Sequence, residues 1–134
     1  MSRFRGQVAW ITGASTGIGL AVSRRLGAAG CRLALTARDS GRLSQEVEQL
    51  AAQGVEACAF AGDVTDRAQL RDIATDIENL WGGIDVLFAC AGTYVPTDVD
   101  RFSADECDLQ MRTNVGHIYS IGDAAFLYQI LQGV

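Results

Sequence analysis

The chain has 134 residues, of which 49 % are apolar and 20 % charged, enough for one packed domain and too few for two ordinary ones. Eleven basic side chains against sixteen acidic ones leave a net charge of −5, which argues against nucleic acid or an anionic membrane surface as the main partner. All eleven basic residues are arginine and the single histidine is His117. Chemistry that needs a lysine amine, and metal sites or most triads built on histidine, are therefore excluded within these residues.

Short β-like runs alternate with longer amphipathic ones. Val8-Ala9-Trp10-Ile11 reads as a buried strand ending at Thr12-Gly13, and about Gly17 to Ala29 as a helix closed by Gly30. Arg32 to Ala37 is a second strand, and Ser40 to Gln53 a second helix ending at Gly54. Val55 to Ala61 follows as a third strand. Asp66 to Leu80 is a third helix with Thr65 or Asp66 as its N-cap. Ile84 to Cys90 is a fourth strand with Asp85 as a polar interruption near its start. Beyond a loop around Pro96, Ser103 to about Gln129 reads as one long helix or two abutting ones. Strands separated by helices of this length predict βαβ units, hence an α/β fold with a parallel sheet covered on both faces.

Cys31, Cys58, Cys90 and Cys107 stand 27, 32 and 17 residues apart with no CxxC or CxH pair, so neither zinc nor a dithiol redox centre is signalled and no metal is expected. Three of the four sit in apolar stretches as small hydrophobes, which suits a reducing cytosol. No signal-peptide-like run and no apolar stretch of membrane-spanning length is present, so the expectation is a cytoplasmic, soluble protein.

The most informative segment is Thr12-Gly13-Ala14-Ser15-Thr16-Gly17-Ile18-Gly19, between the first strand and the first helix. A pyrophosphate placed there meets backbone N–H groups and the positive end of a helix dipole. Glycine serves the tight turn, the close approach of backbone to phosphate, and the packing of helix on strand. The spacing is GxxxGxG rather than GxGxxG, and without a lysine it is no P-loop.

These residues resemble the N-terminal portion of the short-chain dehydrogenase/reductase family, whose glycine motif is Thr-Gly-x-x-x-Gly-x-Gly. Arg38 after the second strand, Asp63-Val64 after the third, Ala91-Gly92 after the fourth, and Asn114 about 22 residues further on fall at family-like positions. The resemblance covers essentially all 134 residues. It implies a Rossmann-type doubly wound parallel sheet, here truncated after about four strands in the order 3-2-1-4, as a single NAD(P)-binding domain over residues 1–134. The fourth strand, Val86-Leu87-Phe88-Ala89-Cys90, would then be an apolar edge that aggregates or recruits a partner.

The resemblance assigns cofactor contacts to Gly13, Ser15, Thr16, Gly17, Ile18 and Gly19. It makes Asp63 the acceptor for the adenine amino group, with Val64 beside the ring, and lets Ala91-Gly92 bring backbone close. The family's Asn-Asn-Ala-Gly is Ala89-Cys90-Ala91-Gly92 here, so the first asparagine's tie between strands is missing. At the end of the second strand an acidic residue favours NAD and an arginine favours the 2′-phosphate of NADP. The family's acidic position falls at neutral Ala37 and is followed by Arg38, which favours NADP over NAD, with the Ser15 and Thr16 hydroxyls as further donors. The counter-reading has Asp39 reaching the ribose while Arg38 pairs with solvent or a neighbouring acid.

The family's hydride transfer between cofactor and a carbonyl or alcohol uses a tyrosine acid/base, a lysine four residues on, a serine and an asparagine. A free tyrosine is a poor base at neutral pH without an adjacent cation. Only the asparagine has a counterpart, Asn114. Tyr128 is followed four residues on by Gln132, and Tyr94 and Tyr119 have no lysine partner either. The expectation is an NADP-dependent oxidoreductase by resemblance, of which these residues hold the cofactor-binding half, not competent alone. Asn114 is then structural, and His117 no acid/base replacement. The other reading is a stand-alone nucleotide-binding or interaction module that docks through the fourth strand or the long helix. In the family that helix also helps to form a dimer interface, which allows a homo-oligomer.

Overall fold

The computed structural model describes residues 3–92. Seven elements alternate along them: β1 (Val8–Thr12), α1 (Gly17–Ala28), β2 (Arg32–Thr36), α2 (Ser40–Ala52), β3 (Ala57–Ala59), α3 (Arg67–Trp81) and β4 (Val86–Ala89). The strands form one sheet in the order β3-β2-β1-β4, and every pair is parallel. Parallel neighbours need a crossover, which each intervening helix supplies. The chain winds outward from β1 through β2 to β3, then returns to place β4 on the other side of β1. The expected 3-2-1-4 order is therefore present. The expected loop around Pro96 and long helix from Ser103 lie outside the described residues.

Strand periodicity sorts the core into two layers. Ala9 and Ile11 of β1 and Leu33 and Leu35 of β2 point to one face, where Leu26 of α1 and Leu43 and Leu50 of α2 cover them. Val8, Trp10 and Ala34 point to the other, where Leu70, Ile73 and Ile77 form the apolar stripe of α3. Both faces of β1 are thus buried, which explains its unbroken apolar run. The indole Nε1 of Trp10 donates to Thr36 Oγ1 at 2.9 Å, so the one polar atom of that large side chain has a partner in the core.

β3 is shorter than the Val55–Ala61 run predicts, because regular pairing covers only Ala57–Ala59. Contact with β2 nevertheless extends further. Leu33 N–H donates to Glu56 O at 2.9 Å, Phe60 N–H to Leu35 O at 2.8 Å and Gly62 N–H to Ala37 O at 3.0 Å. α3 begins after Asp66, whose carboxylate caps it by accepting from Gln69 N–H, one of the two caps anticipated. It stops at Gly82, which takes a left-handed φ of 85°.

Asp85, a polar interruption by sequence, ties the start of β4 to the start of β1. Its Oδ2 accepts from Val8 N–H at 2.8 Å, and its own N–H donates to Val8 O at 2.9 Å. Among the described residues no helix is long and apolar enough to cross a membrane. Replacing Asp85 by alanine leaves the Val8 N–H, on a residue only 2 % exposed, without its acceptor. We expect Asp85→Ala to lower stability by about 1–3 kcal/mol, read as a fall in the urea midpoint, with little change for the exposed Arg71→Ala.

Candidate functional site

The chain leaves β1 through a loop held on both sides. On the β4 side, Ala91 N–H donates to the buried Thr12 Oγ1 at 3.3 Å. On the β2 side, Ala14 N–H donates to Thr36 O at 3.2 Å. Between these ties Gly13 takes φ +64°, and a Cβ there would lie 2.7 Å from both Cys90 O and Ala91 N. Such contacts with backbone are prohibitive, so only hydrogen fits. At Gly17 space is open, and the requirement is conformational, with φ +55°. At Gly19 a Cβ would run into the Gly13 carbonyl, so the first turn of α1 sits directly on the loop. The three glycines meet three separate demands.

The start of α1 differs from those of α2 and α3. Asp39 and Asp66 cap α2 and α3, whereas Thr16 at the N-cap of α1 makes no side-chain capping bond. The first-turn N–H groups of α1 are thus available to an outside anion, at the positive end of the helix. Ser15 is half-buried, Thr16 and Gly17 are exposed, and Ile18 is a large apolar side chain left 76 % exposed on the loop's outer side. A glycine-lined cradle with free N–H donors fits a dinucleotide pyrophosphate.

Arg38 stands exposed two residues beyond β2 and makes no ion pair among the described residues. Asp39 is already engaged. Its Oδ1 accepts from Arg42 N–H at 3.0 Å, and its Oδ2 pairs with Arg42 Nε at 3.4 Å. Beyond β3, Asp63 Oδ1 accepts from the Thr65 N–H at 2.9 Å and the Thr65 hydroxyl at 2.8 Å. The Asp63 N–H donates to Gln69 Oε1 at 2.8 Å. The two Thr65 bonds hold the Asp63 carboxyl below the usual carboxylate range, and the nearby Arg38 guanidinium pushes it the same way. The ends of β2 and β3 therefore converge. Val64 packs its side chain on the α3 layer, and Ala91-Gly92 follow the end of β4 beside Thr12.

The structure thus brings Gly13, Ser15, Thr16, Gly17, Ile18, Gly19, Arg38, Asp63, Val64, Ala91 and Gly92 to the carboxyl-terminal edge of one sheet. Asn114 lies outside the described residues, as do His117, Cys107, Tyr94, Tyr119 and Tyr128. Cys90 packs against the α1–α2 layer, where burial raises its thiol pKa and favours an inert hydrophobe. No group of His, Cys, Asp and Glu able to hold a metal occurs among the described residues. Sequence reasoning missed the Thr12 hydroxyl as the tie to β4, and Gln69 as the brace under Asp63. The first was hidden by a motif read for its glycines, and the second by a separation of six positions along the chain.

A parallel sheet ordered 3-2-1-4, with a glycine loop and an open helix N-terminus where its winding reverses, defines a Rossmann-type fold. The short chain dehydrogenase family model matches residues 7–129, and the chain belongs to that family. It is 33 % identical over 125 residues to the 2,3-dihydro-2,3-dihydroxybenzoate dehydrogenase of Bacillus subtilis, a match covering 93 % of this chain and 48 % of that protein. The chain spans about half the length of such curated relatives. A solved short chain dehydrogenase/reductase from Burkholderia phymatum, in complex with NAD, superposes with a TM-score of 0.69 at 32 % identity over 81 % of this chain and 39 % of that one. L-Sorbose reductase from Gluconobacter frateurii, complexed with NADPH and L-sorbose, superposes with a TM-score of 0.68 at 30 % identity over 76 % and 39 %. The two neighbours hold different nucleotides.

Two outcomes check this geometry. Gly17→Ala meets open space and costs only the left-handed conformation, about 1–2 kcal/mol. Gly19→Ala meets backbone and should destabilise more, both read from urea midpoints. The second concerns Asp63. Its lowered pKa means that the stability it contributes is complete above the ordinary carboxylate range and is lost as pH falls through its folded value. Thr65→Ala removes the hydroxyl donor, so the Asp63 carboxyl should titrate at higher pH, seen by carbon-13 NMR.

Proposed function

We propose that residues 1–134 form one unit that binds NADP(H), as the cofactor-binding part of a cytoplasmic oxidoreductase acting on a small carbonyl or alcohol substrate. In this reading the N–H groups of the loop from Gly13 to Gly19 hold the pyrophosphate, with the Ser15 and Thr16 hydroxyls beside it. The free Arg38 guanidinium takes the 2′-phosphate, Asp63 accepts from the adenine amino group, Val64 lies by the ring, and Ala91-Gly92 allow close approach. Ile18 supplies apolar cover. When bound, the nicotinamide supplies hydride exchange at its C4. The described residues bind and orient the cofactor, and none of them moves a proton.

The observation that carries the NADP reading is the division of labour at the end of β2. Asp39 is used by α2 and Arg42, whereas Arg38 is exposed and without an ion pair among the described residues. A planar guanidinium matches a phosphate with two hydrogen bonds, and a ribose hydroxyl needs an acceptor that Arg38 lacks. The 134 residues contain no lysine, so they do not by themselves complete a tyrosine–lysine pair. Asn114 therefore receives no catalytic step. The free thiols of buried Cys31 and half-buried Cys58 and Cys90 agree with a reducing compartment.

Calorimetric titration of the chain tests this. NADPH should bind at least tenfold tighter than NADH, about 1.4 kcal/mol, and 2′-phospho-ADP-ribose about as well as NADP. Arg38→Gln should erase the preference and leave NADH binding unchanged. Equal or tighter binding of NADH by the native chain overturns the NADP reading. A folded chain that binds neither overturns the cofactor reading altogether.

A further inference from the structure

The glycine loop opens α1 and Arg38 precedes α2, so the two halves of the proposed phosphate site ride on different helices. Both helices follow strands of one parallel sheet and run in the same direction, with their N-termini at the same edge. The distance and axial offset between those N-termini then decide whether one nucleotide can reach the loop and Arg38 together.

One side-chain pair spans the two helices. Arg24 Nε donates to Glu46 Oε1 at 2.8 Å and Arg24 Nη2 to Glu46 Oε2 at 2.8 Å, a two-point clamp of fixed direction. Nη2 also reaches Gln49 Oε1 at 3.4 Å. Arg24 lies seven residues after Gly17 and Glu46 six after Ser40, the first residues of their helices. The clamp thus joins the helices within one residue of the same depth, about 10 Å below the N-terminal edge at about 1.5 Å per residue.

Glu46 stands where packing alone would choose otherwise. It falls between Leu43 and Leu50 on the buried stripe of α2, and its side chain is 7 % exposed against 52 % for Arg24. A carboxylate in that place pays desolvation that leucine would not, so the pair is a poor means of gaining stability. What leucine cannot provide is direction. Apolar contact lets one helix slide on the other, whereas a bidentate pair fixes both separation and offset.

We propose that Glu46, through Arg24, is a positioning residue for recognition of the cofactor's 2′-phosphate: the clamp sets the offset of α2 against α1 that lets Arg38 and the glycine loop engage one nucleotide. This rests on the NADP reading above. Glu46 touches no cofactor itself, and NADH, which makes no use of Arg38, is held by the loop regardless of the clamp.

The test is titration of native chain and Glu46→Leu with NADPH and NADH, with thermal unfolding of each alongside. Glu46→Leu completes the apolar stripe and leaves the half-exposed Arg24 to water, so its melting temperature should be maintained or raised. Its NADPH-over-NADH preference should fall at least fivefold, with NADH affinity within twofold of native. General loosening would instead weaken both nucleotides together, and that result overturns the proposal. So does a folded variant that keeps the full preference, while native discrimination leaves the NADP reading intact. A native chain with no preference overturns the NADP reading and this inference with it. Where Glu46→Leu does not fold, the double variant Arg24→Leu with Glu46→Leu leaves no charge unpaired, and the same two ratios decide.

Discussion

Everything at the carboxyl edge of the sheet depends on how closely the chain leaving β1 passes the chain leaving β4. The Cα of Gly13 lies so near Cys90 and Ala91 that a methyl group there would stand 2.7 Å from backbone atoms of both. That approach brings Ala91 N–H onto the Thr12 hydroxyl and turns the loop so that Ala14 bonds to Thr36 on the other side. With both neighbours fixed, the chain has one way into α1. Gly19 packs on the Gly13 carbonyl, and the helix starts with its N–H groups facing out of the sheet edge. A larger residue at position 13 would not simply disturb a turn; it would separate the strands whose junction makes the crevice.

Charge is distributed to suit that crevice. Among the described residues, two of the three helices use an aspartate on their own first turn, and the one above the glycine loop does not. Capping also turns the Asp39 carboxylate onto Arg42, whose guanidinium offsets its charge, and away from a pair with Arg38. Asp63 is held ionised by Thr65 in a turn that Gln69 braces from α3. Asp39 and Asp63 near the edge are thus committed to local partners, whereas Thr16, Ile18 and Arg38 are left exposed. The Arg24–Glu46 clamp belongs to the same economy, since it places a buried charge where shape alone would have accepted leucine.

Much of this was legible in the sequence, and the exceptions have physical causes. Alternation of short apolar runs with amphipathic ones announced a parallel sheet, because strands buried on both faces have no polar side. The spacing of Gly13, Gly17 and Gly19 announced the loop, because conformation and space restrict those positions whatever the remainder of the chain does. The limits of β3 were less legible. It lies at the sheet edge, where bonds to β2 alone fade out residue by residue from Glu56 to Gly62. Asp85 looked like an interruption because a strand pattern registers hydropathy and is blind to an acceptor aimed at a neighbouring strand.

By itself the sequence determined the α/β class, the place of the glycine loop between the first strand and helix, and the presence of arginine rather than an acid after β2. These are local properties, set by period, spacing and residue type within a few positions. Only the folded structure decided which of two adjacent residues, Arg38 or Asp39, is left without an ion pair, since α2 has to form before Asp39 can cap it on Arg42, three residues on. It also decided that Glu46 meets Arg24 from another helix, and that Thr12 meets Ala91 from another strand. Those pairs are 22 and 79 residues apart in the chain, and no local pattern carries that information.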